Sequence, residues 1–316
     1  MDVLTVNHLR TYFFTKYGTV QAVDDISFDV RKGDILCIVG ESGSGKTVTA
    51  LSILRLVDPP GRIIEGKVML EGKDLMELST REIQDIRGNK ISMIFQDPHS
   101  SLNPIFTVGA QISEAITAHR RITNKEADAR ALELLHLVGI AKERFHEYPH
   151  QFSGGMKQRI MIAMALACGP EVLIADEPTT ALDLTVQAQI LDLFLELRNK
   201  FNMSIIYVTH DLGVVSEIAD RIVVMYAGRI MEKGNREEIL TNPRHPYTKG
   251  LMECLPSGRG KLASIPGTIP GLIEPPGGCI FHPRCGRVMD KCRLNRPLLL
   301  QIKDEHYVSC FLYGGN

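Results

Sequence analysis

The sequence predicts an α/β fold built on a largely parallel sheet, and three observations predict it. Apolar runs of strand length, ILCIV, VLIAD and SIIYV, are interleaved with helical stretches such as QAQILDLFLELRNK, as expected of strands buried on both faces. The first run leads directly into the glycine-rich loop GESGSGKT and then into a helical segment, the context in which such loops cradle phosphate. Finally, 316 residues with 44% hydrophobic and 23% charged side chains match a soluble globular chain of about two domains.

Taken in order, VLTVNHL and VQAVDDISFDV read as strands, and ILCIVG follows after the turn RKGD. The helix TVTALSILRLV stops at the breaker DPPG, and the strand-turn-strand KVMLEGKDL leads into KISMIFQDP. From about 98 to 167 the pattern turns helical. There VGAQISEAITAHR and KEADARALELLHLVGI carry apolar residues three and four apart. Strands return in VLIADEP and SIIYVTH, and RIVVMYAGRIMEKG reads as a closing hairpin around Ala227-Gly228. After about 240, TNPRHPYTKGLMECLP holds a short helix. The stretch SGRGKLASIPGTIPGLIEPPGG is too rich in Pro and Gly for long regular elements. The expected division is a nucleotide-binding domain over 1–240, its helical part at about 98–167, and a small loop-rich domain over 241–316.

Composition excludes some classes. A formal net charge of -1 supplies no basic field, so no nucleic-acid partner is expected. The N-terminus lacks the pattern of a signal peptide, and no stretch approaches 18 uncharged apolar residues. Seven cysteines without a secretion signal argue against a disulfide framework and for a cytosolic chain with reduced thiols.

The loop Gly40 to Thr47 fits G-x-x-x-x-G-K-[ST]. Its glycines let the backbone N–H groups of Ser42, Gly43, Ser44 and Gly45 turn inward onto phosphate oxygens, and the helix that follows adds partial positive charge. Lys46 reaches the β- and γ-phosphates, and the Thr47 hydroxyl ligates Mg²⁺. VLIADEP ends in Asp176, placed to hold Mg²⁺ through water, and Glu177, placed to orient or deprotonate the attacking water. A Mg-nucleoside triphosphate site follows from these residues.

QFSGGMKQR, Gln151 to Arg159, resembles the signature motif of ATP-binding cassette (ABC) ATPases, and the resemblance extends through nearly all of residues 1–235. It implies a phosphate-loop NTPase core with a mixed sheet, an antiparallel β subdomain and a helical subdomain. Gln96 in MIFQDP matches the glutamine loop, which also senses Mg²⁺. Ala181-Leu182-Asp183 matches the D-loop and His210 in YVTHD the switch histidine. Ser153, Gly154 and Gly155 open a helix, and the resemblance directs their amides at the γ-phosphate of an opposing subunit. An aromatic stacks on adenine in this family; Tyr17 is the choice here, with Tyr12, Phe13 and Phe14 as competitors.

QDPHSSLNP, TNPRHPYTKGLMECLP and GCIFHPRC resemble the ATP-binding subunits of dipeptide/oligopeptide importers, and nickel importers share much of this pattern. The resemblance implies a second, usually different, ATPase subunit, two permease chains, an external peptide-binding protein and a peripheral place on the cytoplasmic face of the membrane. A non-transport ABC ATPase acting on a macromolecule is the alternative from another class.

Cys279, Cys285, Cys292 and Cys310 fall within 32 residues, with five, six and seventeen residues between successive members. Three readings stand: small buried apolar residues, a structural Zn²⁺, or a [4Fe–4S] cluster. Similar tails in the importer branch favour the cluster. ATP, Mg²⁺ and [4Fe–4S] are thus the expected cofactors, while Cys37 and Cys168 read as core.

Overall fold

Two fourteen-residue strands, β1 (Asp2–Thr15) and β2 (Gly18–Arg31), open the chain in a computed structural model that describes residues 1–97, 101–180, 182–254 and 265–314. The expected strand VLTVNHL runs on through Arg10, Thr11 and the aromatics Tyr12, Phe13 and Phe14 to Thr15. A cross-strand partner explains the extension: Arg10 lies opposite Glu65, and its Nη1 donates to Oε2 at 2.5 Å. β3 (Ile35–Val39) is buried at all five positions and α1 (Lys46–Ile53) follows the glycine loop. Next come β4 (Gly61–Leu70), β5 (Lys73–Asp74) and α2 (Thr80–Ile86), the last closed by a Ser79/Glu82 capping box.

β6 (Ile91–Ile94) precedes the expected helical stretch, which contains α3 (Val108–Thr117), α4 (Asn124–Leu137) and α5 (Gly154–Ala165). Each starts at a hydroxyl cap: Thr107, Thr123 and Ser153 accept from the third residue on. β7 (Val172–Asp176) and β8 (Ser204–Thr209), both buried at every position, flank α6 (Leu184–Phe201). The chain then forms α7 (Leu212–Ile218), β9 (Arg221–Tyr226), β10 (Arg229–Asn235), α8 (Arg236–Thr241), α9 (Pro246–Glu253), α10 (Asp290–Leu294), β11 (Leu300–Lys303) and β12 (His306–Val308).

The chain divides into two compact units. One comprises Asp2–Val30, Asp34–Met76 and Val208–Asn316; the other is Met1, Arg31–Gly33 and Glu77–Tyr207. The first holds an antiparallel sheet in the order β2-β1-β4-β5 and a second group in the order β11-β12-β10-β9-β3. β3 pairs with β9 in parallel, Leu36 against Arg221 through Val39 against Val224. β9 returns as β10 through Ala227 (φ 47°) and Gly228 (φ 81°), the two positive-φ positions of a two-residue hairpin turn. In the other unit β6 runs parallel to β7, Ile91 against Val172 through Ile94 against Ala175.

The segment after 241, expected as its own loop-rich domain, contributes two strands to this sheet. β12 pairs antiparallel with β10, Glu232 against Val308, and β11 continues the edge. Neither strand showed in composition, because each is only three or four residues long and pairing, not propensity, sustains them. Parts of the quoted motifs, Pro98 to Ser100 and the stretch 255–264, lie outside the described residues.

Beneath this edge a fully buried carboxylate is satisfied by three donors. Glu232 accepts from the Arg244 and His245 amides at 2.8 Å each, and His306 Nε2 stands 2.7 Å from its Oε1. The His245 ring caps α9, its Nδ1 accepting from the Tyr247 amide at 3.0 Å, a role open only to the neutral imidazole. Burial depresses its pKa to about 4, against the opposing pull of Glu232. Because the folded value lies below the unfolded 6.5, the linked stability is complete above pH 6.5 and is lost as pH falls toward 4. The loss is on the order of a few kcal/mol, each pKa unit being worth ~1.4 kcal/mol. Urea midpoints should therefore fall between pH 7 and 5, and the fall should be shallower in His245→Asn, which keeps a capping acceptor without a titrating ring.

Candidate functional site

The phosphate loop is shaped by close backbone approaches. A Cβ at Gly45 (φ 99°) would lie 2.3 Å from the Ala22 carbonyl oxygen, and one at Gly40 would lie 2.1 Å from that of Met225. At Gly43 (φ 79°) nothing among the described residues stands within 4 Å of an added Cβ. Lys46 is 4% exposed, and its Nζ donates to the Gly40 carbonyl at 2.8 Å and to that of Glu41 at 3.1 Å. Gly45 caps α1 without a side chain, and the first turn carries no acidic residue. The N-terminal dipole is therefore not offset by a local carboxylate. Ser44 Oγ is buried and has no hydrogen-bond partner among the described residues, as an atom awaiting a ligand would be. Ser42 and Gly43 are exposed and Thr47 is half-buried at the start of α1.

His210 belongs to the same unit and is exposed just past β8. Tyr17 sits in the turn between β1 and β2 at 75% exposure, with Lys16 Nζ 4.9 Å from its ring centre. Of its competitors, Tyr12 is committed through its hydroxyl to Asp24 Oδ1 at 3.0 Å, and Phe14 lies under the Arg62 guanidinium.

The remaining expected residues lie in the other unit. Asp176 ends β7, 2% exposed. Glu177 follows with φ 46°, a left-handed backbone that non-glycine residues adopt at a cost and that concentrates at functional sites. Its Oε2 accepts from Gln96 Nε2 at 3.1 Å and from Thr180 Oγ1 at 2.9 Å, so two donors hold that one oxygen. Thr180 was not singled out from sequence, although a hydroxyl three residues past a strand-end acid is a visible signal. Ser153 caps α5 with its Oγ accepting from Met156 N, again with no acid in the first turn. Gly155 packs against α6, where an added Cβ would meet Val186 Cγ1 at 2.4 Å. Asp183 caps α6, accepting from Val186 N at 3.0 Å. Ala181 of the expected D-loop lies outside the described residues.

The cysteine metal is the expectation that the structure does not bear out. Among the described residues, no group of three or more His, Cys, Asp or Glu side chains could hold a metal ion. The Mg²⁺ set draws Thr47 from one unit and Gln96 and Asp176 from the other. Neither a [4Fe–4S] cluster nor a structural Zn²⁺ on Cys279, Cys285, Cys292 and Cys310 is indicated among the described residues. The physical reason is their placement: one precedes the turn His282–Arg284, one ends it, one lies on α10 and one precedes the turn Phe311–Tyr313. No two share the tight knuckle that gathers thiolates on zinc. The thiols do lie within range of one another's charge. Burial raises Cys279 to about 11, a backbone hydrogen bond from Phe281 opposes that, and Cys292, Cys310 and Cys285 add to it.

Comparison with known proteins decides the family. The family model described as "ABC transporter" matches residues 23–180. The oligopeptide transport ATP-binding protein AppD of Bacillus subtilis is 50% identical, with 98% of this chain and 97% of that protein covered. This chain belongs to the ABC transporter family. The dipeptide transport ATP-binding protein DppD of Escherichia coli is 47% identical over 98% of this ABC chain and 96% of its own length. A second family model, for the C-terminal region of oligopeptide/dipeptide transporters, matches residues 231–292. Among solved structures, the dimeric post-hydrolysis ATP-binding cassette MJ0796 bound to ADP and Pi matches with a TM-score of 0.67 and 27% identity. The match covers 74% of this chain and 98% of that one. The ABC fold expected from QFSGGMKQR, a mixed-sheet α/β cassette with a helical part, is therefore the fold observed, and the protein is an ABC ATPase.

Close packing at the signature helix yields a test of this half of the site. Gly155→Ala should destabilise the cassette by about 1–3 kcal/mol, the usual cost of overpacking. A guanidinium unfolding curve unchanged from the parent would show that Val186 yields without cost.

Proposed function

We propose that this ABC ATPase is the ATP-hydrolysing subunit of an importer of di- and oligopeptides. The observation that carries the reading is the coincidence of two matches. The whole chain is about half identical to dipeptide and oligopeptide transport ATP-binding proteins, and residues 231–292 match the C-terminal region of such transporters.

In this reading the amides of Ser42, Gly43, Ser44 and Gly45, with Lys46, hold the triphosphate, and Tyr17 stacks on adenine. Thr47, Gln96 and Asp176 would hold Mg²⁺, which offsets negative charge on the β- and γ-phosphates. Glu177 accepts a proton from the water whose oxygen attacks the γ-phosphorus, giving ADP and phosphate. Gln96 and Thr180 keep its carboxylate in one orientation for that transfer. His210 steadies the γ-phosphate. Ser153 and Gly155 face the nucleotide of a second, different ATPase subunit, and Asp183 crosses to it. Support for such a partner comes from Leu184, beside Asp183, whose large apolar side chain is 83% exposed.

No helix among the described residues is long and apolar enough to cross a membrane, so translocation falls to two permease chains, fed by an external peptide-binding protein. The cassette would work on the cytoplasmic face beneath them. Exposed Phe95, Ile105 and Phe106, and a groove of about 200 Å³ lined by Met93, Met161 and Met164, support a docking face for an apolar segment.

The four C-terminal thiols would hold a [4Fe–4S] cluster, whose chemistry here is to cross-link a segment with little core of its own. Support comes from the donors around the sulfurs. The Arg287 amide donates to Cys285 Sγ at 3.4 Å, and backbone hydrogen bonds from Phe281 and Leu312 favour the thiolates of Cys279 and Cys310 against the burial that raises them.

Two measurements test these assignments. Glu177→Gln should bind ATP as the parent does and lose at least about a hundredfold in turnover; retained turnover would remove Glu177 from its role. Anaerobically purified protein should be brown, with iron and acid-labile sulfide in equal amounts, and a colourless, iron-free chain of unchanged stability would leave the thiols as ordinary buried residues.

A further inference from the structure

Glu41, the second residue of the phosphate loop, is held at three points. Its amide donates to the Tyr247 hydroxyl at 3.0 Å, and its carbonyl accepts from Lys46 Nζ at 3.1 Å. Its carboxylate accepts from Arg284 Nη1 at 3.1 Å on each oxygen. Two of these three partners, Tyr247 and Arg284, come from the C-terminal segment. Arg284 closes the turn His282–Arg284 immediately before Cys285.

The Arg284 side chain is 5% exposed and fixed on every side. Nε donates to the Pro266 carbonyl at 2.8 Å, Nη2 to that of Ile265 at 3.2 Å, and Nη1 also to the Tyr226 hydroxyl at 3.3 Å. Its turn is anchored in turn by Phe281, whose ring centre lies 5.2 Å from that of Tyr226 and 5.4 Å from that of Tyr247. Those two rings are 4.7 Å apart, all three being buried.

A carboxylate is an unexpected neighbour for a loop that receives a polyanion. Left unpaired, Glu41 would repel the triphosphate and would be at liberty to turn its carbonyl away from Lys46. We propose that Arg284 is a positioning residue for nucleotide binding. It neutralises Glu41 and fixes the loop residue that receives Lys46, so the C-terminal cysteine segment sets the loop's affinity for the triphosphate. This rests on reading Gly40–Thr47 as the ATP site. It does not depend on the transported substrate or on a metal at the cysteines, since the guanidinium is held by carbonyls and a hydroxyl. Disorder in the cysteine segment would reach the loop through Arg284 without any change in Lys46 itself.

The test is equilibrium binding of a fluorescent ATP analogue with Mg²⁺ to the full chain. Arg284→Met should raise Kd about tenfold, the cost of one lost charge-assisted hydrogen-bonded pair. Adding Glu41→Gln should recover most of that loss, because the neutral amide no longer repels phosphate. A double variant as weak as Arg284→Met, or Arg284→Met binding as tightly as the parent, would overturn the proposal. Arg284→Lys, which keeps the charge, should fall between parent and Met. Should Arg284→Met fail to fold, Arg284→Gln keeps donors toward the two carbonyls and should show the same weakening and the same recovery. A parent chain that binds no nucleotide would sink the ATP reading itself, an outcome distinct from parent-like binding by the variants.

Discussion

Burying an ammonium group costs several kcal/mol unless its protons find acceptors. Lys46, 4% exposed, finds two of them in the carbonyls of Gly40 and Glu41. Much of the first unit's local architecture serves that arrangement. The carbonyls can point at Nζ only if the chain passes so close to Ala22 and Met225 that Gly45 and Gly40 cannot carry a Cβ. β3 brings the loop to this place because β9 runs parallel to it and ends beside it, and the Ala227-Gly228 turn keeps the approach.

In the second unit strain plays the part that burial plays in the first. Glu177 takes a left-handed backbone at the end of a fully buried strand, and two side-chain donors hold its carboxylate. A residue in that conformation persists only where its surroundings over-determine it. Thr180 and Gln96 hold its carboxylate from one side. The signature helix, capped by Ser153 and pressed onto α6 at Gly155, is held by similarly short-range contacts.

The C-terminal segment shows how a poor core can still be ordered. Its strands borrow hydrogen bonds from β10, its aromatic Phe281 borrows a cage from Tyr226 and Tyr247, and its Arg284 borrows a counter-ion from the phosphate loop. Each contact spends little sequence. Together they make the segment part of the nucleotide-binding unit rather than an appendage of it.

Much of this was legible in sequence. Buried strands announce themselves as unbroken apolar runs, caps as Ser, Thr or Asp before helical spacing, the hairpin as Ala-Gly between strands, and the phosphate loop as glycines before Lys-Thr, because each is a local consequence of backbone sterics and hydrogen bonding. The order of β3 and β9, the reach of β1 past its alternating run, and the pairing of β12 with β10 were not, since they are settled by partners distant in the chain. So was the Glu41–Arg284 pair, 243 residues apart. The sequence by itself determined which residues could do the chemistry; tertiary structure alone decided which of them meet, because contact between distant residues depends on how strands and turns close upon each other and leaves no local pattern to read.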